Sequence, residues 1–197
     1  LRNEGMRRVD RLPPLKRRAT RRAAISRLCE SGVPGPYWVL RSPAYCEIAE
    51  TIALTDGCLV ADGDVLDRLQ AEARRTGRRH GVLVMVDIET GREGFLPTEV
   101  PAICRRVMAH DHLDLHGLGV YFEYQGDAGT QARTLEQLHE LAGRIGQDLG
   151  QTLPIISGGS TSIIRTQLLH ERQPVGVNNL RLGTAILLGI ASSIGPQ

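Results

Sequence analysis

The chain has 197 residues, 41% of them hydrophobic and 23% charged, with a formal net charge of +2. Those values suit one globular domain with a sizeable core and exclude a strongly basic or acidic partner for the chain as a whole. The longest strongly apolar run, Ala185 to Ala191, is far too short to span a bilayer, and no apolar run follows the basic N-terminus to make a secretory signal.

Residues 1–28 come first, with nine Arg and Lys16 against Glu4 and Asp10, a net of +8 that leaves −6 for residues 29–197. Such an arm suits either a poorly structured leader or a tail for nucleic acid or acidic lipid. No aromatic residue interleaves the charges, so the leader is the expectation and nucleic acid is not the expected partner. From residue 29 the chain reads as one βα domain. Strands are predicted at Tyr37–Arg41, Cys58–Ala61, Val82–Asp87, Leu115–Phe122, Pro154–Ser157 and Val177–Arg181. Helices are predicted between them at about 43–53, 63–76, 97–109, 131–149 and 160–170. Leu135, Leu138, Leu141, Ala142 and Ile145 share one helical face.

Alternation of apolar strands with helices implies a parallel sheet, doubly wound or closed into a barrel. A closed (β/α)8 barrel needs eight strands and about 250 residues. Six are found, and Leu12-Pro-Pro-Leu-Lys-Arg-Arg18 is too charged and proline-broken for a seventh. The expectation is a partial (β/α)8 TIM-type barrel lacking its first strands, with residues 37–41 as an exposed edge open to pairing.

Chemistry in such folds collects at strand C-termini, and polar residues fall there: Arg41, Asp87, Tyr121, Ser157 and Arg181. Pro154-Ile-Ile-Ser-Gly-Gly-Ser-Thr-Ser-Ile-Ile164 has the chemistry of a phosphate cradle: small residues admit backbone N–H groups, and Ser157, Ser160, Thr161 and Ser162 add hydroxyls at an expected helix start. In Arg181-Leu-Gly-Thr184, Gly183 and Thr184 either add N–H groups to the same phosphate as Gly158, Gly159 and Ser160 or merely turn the chain. Arg181 either reaches a ring nitrogen or pairs with a carboxylate. Arg92, in the glycine-flanked loop Asp87–Gly94, is either solvated or steers an anion. His110, His112 and His116 lack a helix-spaced partner, so no metal is expected. His80, His139 and His170 read as surface residues. Cys29, Cys46, Cys58 and Cys104 are scattered without a CxxC pair, as in reduced thiols of a cytoplasmic protein. A phosphorylated cofactor such as pyridoxal phosphate (PLP) ordinarily takes a lysine for its Schiff base. The sequence holds one, Lys16, against twenty-three arginines.

Val84-Met-Val-Asp-Ile-Glu-Thr-Gly-Arg-Glu-Gly94, Gly117-Leu-Gly-Val-Tyr-Phe122, Ile156-Ser-Gly-Gly-Ser-Thr-Ser162 and Asn179-Leu-Arg-Leu-Gly-Thr-Ala-Ile-Leu-Leu-Gly189 together resemble the fold-type III PLP enzymes, the alanine racemase N-terminal-domain superfamily. The likeness runs over about residues 30–190 and points to the ornithine (basic amino acid) racemase branch. It implies that Ser157 to Ser162 with Gly183 and Thr184 hold the phosphate, that Arg181 faces the pyridine nitrogen, and that Arg92 and Tyr121 also line the cofactor site. Tyr121 replaces a ring-stacking histidine of alanine racemases, and Met85 a lysine.

The resemblance also implies a Schiff-base lysine on the first barrel strand, a C-terminal β domain supplying a tyrosine across a homodimer, and a small amino-acid substrate. Neither acid/base partner matches a residue of this chain, and two-base racemisation needs one on each face of the carbanion. The expected function is therefore racemase-like, with no catalytic residue assigned and the chain itself inactive. A non-catalytic PLP-binding protein and an interaction module built on the basic arm are the alternatives.

Overall fold

The computed structural model describes residues 27, 30–88, 91–121, 128–160, 176–183 and 186. Strands β1 (Trp38–Val39), β2 (Gly57–Val60), β3 (His80–Val86), β4 (Leu113–Val120), β5 (Ile155–Ser160) and β6 (Asn179–Arg181) form one sheet. Every neighbouring pair is parallel and the spatial order is the chain order. Helices α1 (Ile48–Leu54, entered through a 3-10 turn at Tyr45–Glu47), α2 (Gly63–Thr76), α3 (Val100–Met108) and α4 (Ala128–Leu149) cross between successive strands. This is a curled half-barrel of the (β/α)8 type. Among the described residues β1 pairs only with β2, and β6 only with β5.

The helices stand where apolar period and terminal chemistry coincide. In α2, Val65, Leu66, Leu69 and Ala73 are buried, the Asp62 side chain accepts the Asp64 N–H, and Gly77 ends the helix in the left-handed conformation at φ 66°. The face read from the α4 sequence is the buried one: Leu135, Leu138, Leu141, Ala142 and Ile145 are all at most 4% exposed. Truncating a wholly buried leucine such as Leu69 or Leu138 to alanine costs roughly 2–5 kcal/mol in a core of this kind.

Strand alternation separates two apolar layers. Cys58, Val60, Val82, Val84, Val86, Leu118 and Val120 face the helices. Leu59, Leu83 and Met85 form a smaller cluster on the other, concave face, with Trp38, Ala61, Tyr121 and Ile155 packed against it. The Trp38 ring lies where side chains at Gly57 and Gly81 would stand, and it meets His116 edge-on with centroids 5.2 Å apart.

Some predicted boundaries move. The first strand keeps only Trp38–Val39 of residues 37–41, and Phe122 of the predicted fourth lies outside the described residues. The fifth runs on to Ser160, because Gly158 pairs with Val120 and Ser160 with Arg181; Ser160 therefore ends a strand rather than opening a helix. The predicted helix beyond it lies outside the described residues. His80 is not a surface residue. It begins the central strand on the helix-facing side and is 1% exposed.

Candidate functional site

The polar groups of the concave face gather at the C-terminal ends of β4, β5 and β6. Ser157 and Asn179 are register partners on adjacent strands, and Arg181, two residues beyond Asn179, shares its face. Arg181 Nη1 donates to Ser157 Oγ at 2.6 Å, and Nη2 donates to the Val120 carbonyl at 2.7 Å. Ser157, 1% exposed, donates in turn to Asn179 Oδ1 at 2.8 Å. The guanidinium is thus held by a hydroxyl and a carbonyl, both neutral. Burial pulls its pKa down from the ordinary arginine value, opposed by the charges of Tyr121 and Glu93. A cation so placed stays protonated at any ordinary pH and favours an electron-rich neighbour. Gly119 makes room for it: a Cβ there would stand 3.3 Å from Arg181 Nη1 and 2.6 Å from Leu83 Cδ2.

Tyr121 follows β4 directly, and the Arg92 guanidinium lies over its ring at 3.8 Å from the centroid. The loop that delivers Arg92 is folded back on β3. Asp87 N–H donates to the Phe95 carbonyl and Phe95 N–H to the Met85 carbonyl, both at 2.9 Å. The Asp87 carboxylate accepts the Gly91 N–H at 3.0 Å. Gly94 passes so close, at φ 144°, that a Cβ would lie 2.5 Å from Asp87 N; only glycine serves there.

Of the predicted rim residues, Ser157 and Arg181 are therefore bonded, Tyr121 lies close enough to act on the Arg181 charge, and Arg92 stacks on Tyr121. Asp87 shapes the loop. Arg41 stands apart on the β1 side, its Nη2 bonded to Glu47 Oε2 at 2.5 Å and its Nη1 to the Ser42 carbonyl. Gly158 turns toward the helices, against Val177 and Leu135. Gly159 is buried within β5 at φ 105°, and Gly183 is exposed, with open space where a Cβ would stand. Thr161, Ser162 and Thr184 lie outside the described residues, as do Lys16, Cys29 and His170.

The histidines go separate ways. His110 Nε2 lies 3.7 Å from Asp67 Oδ1, His112 Nδ1 lies 3.2 Å from the Arg78 carbonyl, and His116 meets Trp38. His139 is exposed. Asn179, the Val120 carbonyl and Glu93 were not anticipated. The alternation that puts Asn179 and Arg181 on one face was legible, but which residue of β5 lies opposite required the register.

The alanine racemase N-terminal domain profile matches residues 19–190, most of the chain. The chain belongs to the alanine racemase N-terminal domain family. Among curated members, it is 28% identical over 159 residues to the ornithine racemase of Acetoanaerobium sticklandii, covering 80% of this chain and 44% of that protein. It is 29% identical over 168 residues to the lysine racemase of Thermotoga maritima, covering 84% and 46%. The chain thus spans less than half the length of these curated racemases. Solved structures share the family fold at lower identity. PipY of Synechococcus elongatus PCC7942 with PLP bound superposes with TM-score 0.69 at 19% identity, over 82% of this chain and 75% of PipY. An alanine racemase of Clostridium difficile 630, in complex with cycloserine, gives 0.68 at 16%, over 82% and 44%. Among the described residues no helix is long and apolar enough to cross a membrane.

Proposed function

We propose that this chain is the cofactor-holding barrel portion of a PLP-dependent amino-acid racemase, acting in its lineage on ornithine or another basic amino acid. The observation that carries the reading is the Arg181 guanidinium, fixed by neutral acceptors at the mouth of the half-barrel beside Tyr121. PLP is an electron sink with a phosphate at one side of its ring and a basic pyridine nitrogen at another. Arg181 suits that nitrogen, because a guanidinium only donates and so keeps the nitrogen unprotonated. Tyr121, backed by Arg92, offers the ring an apolar wall. Gly159 and Gly183 would offer backbone N–H groups to the phosphate, with Gly158, Ser160, Thr161, Ser162 and Thr184 completing the proposed cradle, while the Ser157 hydroxyl is engaged with Arg181 and Asn179.

The residues suit a non-covalently held cofactor. The only lysine in the sequence is Lys16, which lies outside both the described residues and the family match. The reading therefore assigns binding to this chain and no proton transfer. PLP-supplemented chain incubated with L-ornithine or L-lysine should produce no D-enantiomer above a protein-free control on chiral chromatography. Turnover above that background would overturn the assignment. A PLP carrier without catalysis is a second reading of the same contacts, supported by the PLP held on the shared fold of PipY.

A further inference from the structure

The donors and acceptors around Arg181 fix a direction. A guanidinium has five N–H donors and no acceptor, a serine hydroxyl has one donor, and an amide oxygen only accepts. Arg181 Nη1 must therefore donate to Ser157 Oγ, and the one Ser157 hydrogen goes to Asn179 Oδ1. Ser157 is buried, and its donor is spent inside the protein. Although it lies in the segment read as a phosphate cradle, it has no hydrogen left for a phosphate oxygen. The second anchor, the Val120 carbonyl, belongs to the backbone. Together, hydroxyl and carbonyl fix the guanidinium plane of a side chain that otherwise has many rotamers.

From this juxtaposition we infer that Ser157 and Asn179 are positioning residues for Arg181, acting on a bound pyridine ring through its guanidinium and not on the phosphate. The inference rests on the proposal that PLP lies against Arg181. It gives β6 a purpose beyond closing the sheet: Asn179 and Arg181, two residues apart on one face, grip the same serine from two sides. The pairing across Ser157 and Asn179 in register makes the three groups one rigid unit.

The test compares the wild type with Ser157→Ala, Ser157→Thr, Asn179→Leu, Arg181→Met and the double variant S157A/R181M, after thermal melts establish that each is folded. PLP affinity is measured by equilibrium dialysis, and inorganic phosphate is titrated as its competitor. Losing the hydrogen bond to the charged Arg181 predicts roughly tenfold weaker PLP binding for S157A, and losing only the neutral Ser157–Asn179 bond predicts a smaller drop, about threefold, for N179L. S157T, which keeps the hydroxyl, should stay near wild type. The phosphate inhibition constant should hold within about twofold, while the double variant binds PLP no worse than R181M alone. Equal loss of PLP and phosphate affinity in S157A, additive with R181M, would overturn the inference and return Ser157 to the phosphate.

A second arm needs no PLP. Phenylglyoxal modification of Arg181, followed by peptide mapping, should proceed faster in S157A and N179L than in wild type or S157T. Unchanged rates would refute the positioning role. Absence of PLP binding to wild type together with faster Arg181 modification in the variants would refute the cofactor reading while leaving the positioning unit in place.

Discussion

Arg181 is charged, half-buried and bonded to a hydroxyl and a carbonyl, which is a costly way to place a cation if packing alone were served. Its position at the end of a strand, two residues after Asn179 and two before Gly183, was legible in the sequence, as were Ser157 and Tyr121. What surrounds it was less so, because contacts across strands depend on register. The close approach of Gly119 is one such contact. Gly119→Ala would drive a methyl to 2.6 Å from Leu83 Cδ2 and 3.0 Å from Met85 Sδ, besides crowding Arg181. Overpacking of that size should lower stability by about 1–3 kcal/mol, a melting shift of several degrees by circular dichroism. An unchanged melting temperature would mean that the concave face is looser than these contacts require.

Among the elements, β3 was found from sequence, but its first residue, His80, was misjudged. His80 follows Arg78 and Arg79 and so looks solvated, yet β3 is central and its seven residues are all buried. Neither His80 ring nitrogen has a well-formed hydrogen bond. Burial lowers its pKa from 6.5 to about 4; Arg78 and His116 push the same way, while the Thr55 backbone and Asp56 oppose. The unfolded chain takes up this proton near pH 6.5 and the folded chain only near pH 4. Stability should therefore fall as pH drops through that window, by on the order of 3 kcal/mol from this residue. Below it, Asp114, whose carboxyl is lowered chiefly by its hydrogen bond from Arg79, loses its own contribution on protonation. His80→Leu removes two unsatisfied nitrogens and should flatten the pH 4–6.5 limb in urea titrations without destabilising the protein at pH 7.5. A limb of the same depth in that variant would assign the acid sensitivity elsewhere. Helix α4 was the opposite case: its leucines recur at helical spacing, and period alone identified the buried face.

At the scale of the molecule, consecutive parallel strands were readable because strands and helices alternate along the chain. That the described sheet stops short of eight strands followed from counting them. The described residues form six strands of a family barrel, and the chain spans 44–46% of its curated racemase relatives. Among the described residues β1 is an edge strand, with Leu40 beside it at 56% exposure, and such an edge invites pairing with another chain. Sedimentation velocity should show concentration-dependent association that Leu40→Lys weakens. A monomer at every concentration would argue that the β1 edge is covered.

The measurement that bears most directly on the account is a PLP titration of the purified chain, followed by absorbance, then borohydride reduction and peptide mapping. With Lys16 as the sole lysine, a reducible adduct on a side chain has one place to form. The account predicts saturable binding that inorganic phosphate competes away, weakened in Arg181→Met, with no adduct at Lys16. A stoichiometric reduced adduct at Lys16, or no saturable binding at all, would contradict it.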